Sequence, residues 1–327
     1  MFKNRKINTI SFNLIENSPK ILDIGKFNIN EKIESKYKNI IVEFSQKILN
    51  LKSINFSYLY NNLRTLKTQN IGSLIKENAR AAYSVKYNLI VFKDFFEKNE
   101  VMHELLHLSS GIYDSKKNIE FCGFSQSNYK YGFSVGTGLN EGYTEYLNEH
   151  IFNNKYNVYI IEKNIAKCIE MIIGNIEMKK LYFKADLKEL ILRLSQYNSL
   201  NETMDFLCHL DYVNEKSIDF FSKKRDKQFN YCLKFCVKYL IYSFINKLNH
   251  SIELKEINKD EYNLYLDKFL DTLGSFNYYE YNNEYFLRFI SEKEIIKILN
   301  KVKRGRYLWK MLYWLHQKMK FQIENFH

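Results

Sequence analysis

Apolar residues recur along this chain with two periods, and the change from one to the other divides it. Near the N-terminus TISFNLI alternates apolar and polar positions, and Ile21, Ile24 and Phe27 continue the pattern weakly, which predicts short strands within residues 7–30. Ile33, Tyr37, Ile40, Ile41, Phe44 and Ile48 then recur at helical spacing and predict a helix over 33–51, with a second helical stretch ending near Lys67. In AAYSVKYNLIVFKDFF the residues Tyr83, Val85, Tyr87, Leu89 and Val91 alternate around Lys86 and Asn88. That stretch reads as a strand or tight hairpin. From Asn140 onward almost everything has helical period, for example 156–173, 187–197, 220–248 and 292–303.

The expected fold class is therefore α+β, predominantly helical. An α+β part with a small sheet covers residues 1–138, and a helical part covers 139–327. Chemistry is expected at the junction. Composition agrees with long helices, since Pro19 is the single proline and only 11 glycines occur. No internal repeat or Pro/Gly/Ser-rich linker interrupts the chain.

Charge changes this picture little. Lys and Arg number 49 against 37 acidic residues, a net +12, but most of the positive charge is lysine spread among abundant Asn, Ile and Tyr. The tightest cluster, Lys301, Lys303, Arg304 and Arg306 beside Trp309, reads as a solvated helix face rather than a nucleic-acid surface. No stretch has the length of apolar sequence a membrane span needs, and the first twenty residues lack a signal peptide's apolar core. A cytoplasmic protein without a membrane partner is expected. The five cysteines fit reduced thiols, with Cys232 and Cys236 read as core residues one turn apart.

Candidate chemistry concentrates in VMHELLHLSS, residues 101–110. On a helix, His103 and His107 project about 40° apart, so two imidazole nitrogens can reach one tetrahedral ion. Glu104 lies roughly 100° around the helix, outside the ligand shell. There it can take a proton from a water acidified by zinc as that water attacks a carbonyl carbon. The second stretch, GTGLNEGYTEYLNEH, residues 136–150, is expected to start a helix capped by Asn140. Glu141 and Glu145 then lie one turn apart on one face.

These two motifs resemble the glutamate-type zinc peptidases, or gluzincins, which include thermolysin and the aminopeptidase N-like enzymes. In that clan the HExxH helix is followed by one opening with Asn-Glu. The resemblance implies a zincin-like catalytic core, Zn2+ held by His103, His107 and Glu141, Glu104 as general base, Glu145 as support for His103, and a peptide or protein substrate. It covers roughly residues 82–150. Glu145 stands where Asp is usual, which leaves open which glutamate binds the metal. The 33 residues between His107 and Glu141 exceed the spacing in shorter members, and the segment CGFSQSNYKYGFSVGTG is read as an active-site flap.

Other metal patterns fit less well. Ser110 and Tyr113 occupy the positions where a metzincin has glycine and histidine. Glu100 and His103 give one Glu-x-x-His, but Leu147 stands three residues before His150, so a di-iron bundle site lacks its second half. The strand AAYSVKYNLIVF, just ahead of the metal helix, can pair with an extended substrate. A donor for the developing oxyanion remains open among Tyr129, Tyr131, Tyr143, His150 and His209. The expected function is a zinc metallopeptidase. The alternative is a non-catalytic, zinc-stabilised interaction protein whose basic helical half contacts nucleic acid.

Overall fold

The computed structural model of the protein describes residues 35–70, 81–93, 97–153, 158–217, 227–274, 280–281 and 284–285. The strands expected within 7–30, the helix expected over 292–303 and the basic cluster beside Trp309 lie outside the described residues. The described chain is mixed α+β and mostly helical.

Helix α1 (Ser35–Ile48) carries the apolar stripe of Tyr37, Ile41, Phe44 and Ile48, all buried, and α2 (Ser57–Thr65) buries Tyr58, Leu59 and Leu63. Strands β1 (Lys67–Asn70), β2 (Ala81–Ser84) and β3 (Leu89–Phe92) form a sheet of order β1-β3-β2. In it β1 runs parallel and β2 antiparallel to β3. The hairpin expected from AAYSVKYNLIVF is the β2–β3 pair, with Asn88 at φ 45° in its turn. The Asn88 amide donates to Asn62 O at 2.7 Å and to Thr65 Oγ1 at 2.8 Å, tying the hairpin to α2.

Helix α3 (Lys98–Ser109) contains HELLH. It opens with a capping box in which the Glu97 backbone N–H donates to Glu100 Oε2 at 2.7 Å and the Glu97 side chain accepts in return. Val101, Met102, Leu105, Leu106 and Leu108 are buried around it. Truncating one such leucine to alanine costs about 2–5 kcal/mol. At the other end the Asn62 amide donates to Leu108 O and Gly111 O, both at 2.8 Å.

The segment read as a flap, residues 122–138, supplies β6 (Ser125–Asn128) and β7 (Phe133–Val135) to an antiparallel sheet whose other strands are β4 (Gly111–Asp114) and β5 (Ile119–Cys122), paired in the order β4-β5-β6-β7. Its glycines and tyrosines mark tight turns and one polar face. The other face carries Ile112, Ile119 and Phe121, packed against Tyr58 and Ala185.

Helix α4 (Thr137–Phe152) follows, then α5 (Ile160–Ile173), α6 (Asn175–Phe183), α7 (Leu187–Leu194), α8 (Leu200–Ser217), α9 (Lys227–Glu253), α10 (Lys259–Gly274) and a short ribbon of β8 (Glu280–Tyr281) with β9 (Glu284–Tyr285). Helix α4 touches α3 on one side and α5 and α8 on others, so it is buried nearly all round rather than along one stripe. Gly142 permits this: a Cβ there would come within 2.2 Å of Glu162 O at the start of α5. One buried apolar cluster runs from Tyr37 to Leu273 and includes residues on both sides of position 138.

Asn140 does not cap α4. The N-cap is Gly136, at φ +80° and with its Cβ position 2.0 Å from Phe124 O, a place no other residue fits. The cap acceptor comes from α8, where the Asp211 carboxylate accepts from Gly136 N and Gly138 N, both at 2.8 Å. Asn140 is instead buried inside the first turn. Among the described residues no helix is long and apolar enough to cross a membrane.

Candidate metal centre

Helices α3 and α4 bring three side chains together. His103 Nε2 lies 3.1 Å from His107 Nε2 and 3.2 Å from Glu141 Oε2, and His107 Nε2 lies 3.5 Å from the same oxygen. Edges of this length suit one small cation. A tetrahedral ion with bonds of about 2.0–2.1 Å separates its ligands by about 3.3–3.4 Å. These three residues could hold a metal ion. Both histidines are buried and Glu141 is partly so.

Electrostatics supports the same arrangement. Burial alone would lower the pKa of His103, but its hydrogen bonds to Glu141 and Glu145 prevail and raise it to about 9. Burial likewise opposes His107, and attraction to Glu141 raises it well above its usual range. Burial would raise Glu141, yet the two imidazoles hold it far below the ordinary carboxylate range. The carboxylate thus favours protons on two ring nitrogens only 3.1 Å apart, and a dication could replace those protons.

Glu145 is one turn further along α4 and almost fully buried. Its Oε2 sits 3.0 Å from His103 Nδ1, on the side of the ring away from Glu141. A carboxylate there keeps the proton on Nδ1 and leaves Nε2 free to coordinate. The structure thus places Glu141, and not Glu145, beside the Nε2 atoms.

His107 has its own outer contacts, which sequence reasoning missed. Its Nδ1 faces Cys122 Sγ at 3.6 Å and Asn140 Nδ2 at 3.2 Å, while Asn140 Oδ1 accepts from Phe124 N at 3.1 Å. Asn140 Nδ2 can only donate, so that contact needs an unprotonated Nδ1, whereas coordination through Nε2 would put the ring proton on Nδ1 with Cys122 Sγ as its acceptor.

Glu104 points elsewhere, as its position on the helix requires. Its Oε2 accepts from the backbone N–H of Tyr83 on the edge strand β2 at 2.7 Å. Burial raises its pKa against the pull of His103 and His107. A dication beside it would draw that value back down.

None of the five residues considered as oxyanion donors is among these groups. Tyr143 donates to Glu170 Oε2 at 2.7 Å inside the helical core, and Tyr129 donates to Glu120. Tyr131 is exposed, His150 stacks on Tyr146 and His209 stacks on Phe235. The aromatic residue that does reach the centre is Tyr159, the N-cap of α5. Its ring lies 5.8 Å from that of His103 at 24°, and its hydroxyl feels the charge of Glu141. The charge of Glu141, together with burial, raises its pKa well above 10, so the phenol keeps its proton. Its backbone is left-handed at φ 52°, a strained choice for tyrosine, and its carbonyl receives Lys163 N at 2.7 Å. Comparison with family models, curated proteins and solved structures finds no match to this chain.

Proposed function

We propose that this protein is a zinc-dependent peptidase with a zincin-like core, acting on peptides or proteins. The observation that carries the reading is the near-equilateral triangle of His103 Nε2, His107 Nε2 and Glu141 Oε2, beside a carboxylate that belongs to none of its corners. Two histidines and a carboxylate with oxygen and nitrogen donors suit zinc among the common divalent ions. Zinc held there would supply a Lewis acid that polarises a peptide carbonyl and acidifies water.

The chain's own residues have distinct parts in this reading. Glu104, fixed by the Tyr83 amide, accepts the proton of the attacking water and delivers it to the leaving amine. Tyr159 keeps a hydroxyl proton close to Glu141 and donates it as a hydrogen bond to the substrate carbonyl oxygen as charge builds there. Glu145 holds the His103 ring, and Asp211 holds the start of the helix that carries Glu141. All five cysteines are free, in keeping with action in a reducing compartment such as the cytoplasm.

The test is zinc content together with turnover. The purified protein should bind one zinc per chain and cleave a mixed peptide library. Glu104→Gln should retain the zinc and lose turnover by about 10²–10⁴-fold. Undiminished cleavage by that variant, or no stoichiometric zinc, would overturn the reading. Zinc without cleavage, accompanied by salt-dependent nucleic-acid binding, would favour a metal-stabilised interaction protein.

A further inference from the structure

Beside the metal centre the polar face of the β4–β7 sheet continues as a surface. The strand register puts Gly111, Cys122 and Ser125 in one cross-strand row, and Tyr113, Glu120, Ser127 and Ser134 in the next row on the same face. Cys122 touches His107, so the second row lies one two-residue step, about 7 Å, farther from the metal centre. Above this second row sits Lys86 from the β2–β3 turn.

The Lys86 ammonium lies over three rings, with Nζ 5.5 Å from the centroid of Tyr87, 5.9 Å from Tyr113 and 5.1 Å from Tyr129. The ring faces attract the cation and restrict its long side chain, but they take none of its hydrogen bonds. Two of the three hydroxyls are engaged elsewhere. Tyr113 donates to Asn118 Oδ1 at 2.6 Å and Tyr129 to Glu120 Oε2 at 2.7 Å. Among the described residues no carboxylate lies within ion-pairing distance of Lys86. Tyr87 and Tyr129 are 62% and 47% exposed, so the ammonium is reached from solvent.

We infer that Lys86, in its setting of Tyr87, Tyr113 and Tyr129, anchors a carboxylate of the peptide substrate roughly two to three residues from the bond hydrolysed. The inference rests on the peptidase reading and names its substrate class. A held, unpaired ammonium has already lost the rotamer freedom that usually weakens an exposed ion pair. A single ammonium pairs best with a single carboxylate. The row beneath contributes one carboxylate, Glu120, and no second cation, so a phosphate dianion would lack a partner. The carboxylate can come from a chain terminus or from an Asp or Glu side chain.

Zinc-loaded Glu104→Gln protein can bind peptides without consuming them, which makes affinity measurable by fluorescence anisotropy. The probes are N-terminally labelled hexapeptides in pairs, one pair differing as C-terminal acid against amide and the other as internal Glu against Gln. At least one pair should show a preference of about tenfold for the charged member, and the pair that does identifies the source. Adding Lys86→Met should bring that ratio close to one, whereas Lys130→Met, on a neighbouring lysine, should leave it intact. With otherwise wild-type protein, Lys86→Met should raise KM for the preferred peptide about tenfold. Equal affinities within both pairs, or equal loss from Lys130→Met, would sink the anchor. A preserved ratio without any cleavage by the wild-type protein would sink the peptidase reading and uphold the anchor.

Discussion

The Nδ1 atom of His103 lies 3.0 Å from Oε2 of Glu145, a carboxylate whose other oxygen is buried without a hydrogen-bond partner among the described residues. Glu145 thus reaches the candidate ion only through the ring it orients. Removing an outer carboxylate of this kind typically costs 10–100-fold in metal affinity. Glu145→Ala should fall in that range in a competition titration against a chromophoric chelator, and Glu141→Ala should lose more. The opposite ranking would exchange their roles.

Tyr159 is the group whose removal should separate chemistry from binding. Tyr159→Phe keeps the ring against His103 and deletes only the hydroxyl. Steady-state kinetics should give a kcat reduced by about 10²–10³-fold, with zinc content retained and KM little moved. A variant with full kcat would reduce Tyr159 to a packing residue.

Zinc uptake should expel protons. In the metal-free protein His103 has its pKa raised from 6.5 to about 9 by Glu141 and Glu145 against the effect of burial. Calorimetry near pH 7.5 in two buffers of different ionisation enthalpy should report at least one proton released per zinc, and apparent affinity should fall as pH drops below 9. The raised value also makes the metal-free fold lose stability as pH climbs from 6.5 toward 9, because the native state then gives up the proton it bound more tightly. Affinity independent of pH across this window would contradict the protonated cluster.

Asp211 provides a pH dependence on the acid side. Burial raises its pKa from 3.8 to about 6, and the hydrogen bonds from Gly136 and Gly138 only partly oppose this. Between these values the folded state binds the proton and the unfolded state does not. The contribution of Asp211 to stability therefore declines as pH rises from about 4 to 6, by at most about 3 kcal/mol, and stays constant above. Urea unfolding at several pH values should show wild type losing stability relative to Asp211→Asn across that window. A gain would mean that the amide donors outweigh desolvation.

What could be read in advance followed from period and spacing. The stripe of Tyr37, Ile41, Phe44 and Ile48 marked α1, alternation around Lys86 marked the β2–β3 hairpin, and HELLH with NEGYTE marked the two helices that meet. The β4–β7 sheet escaped because its strands are three or four residues long, too short for alternation to stand out, and its turn residues mimic a flexible loop. Asn140 was misread because asparagine is a favoured cap type, while the actual acceptor, Asp211, lies 75 positions from Gly136. Tyr159 carries no local signature, since a left-handed tyrosine before a helix is decided by tertiary contacts. Cys122 reaches His107 through strand pairing that spacing alone does not reveal.

The distance in sequence between Asp211 and the amides it receives has a bearing on biosynthesis. A nascent chain already contains both histidines and both glutamates long before the acceptor that steadies their helix emerges from the ribosome. A truncated product ending before α8 would carry the candidate donor atoms but lack the carboxylate that receives the Gly136 and Gly138 amides at the start of α4.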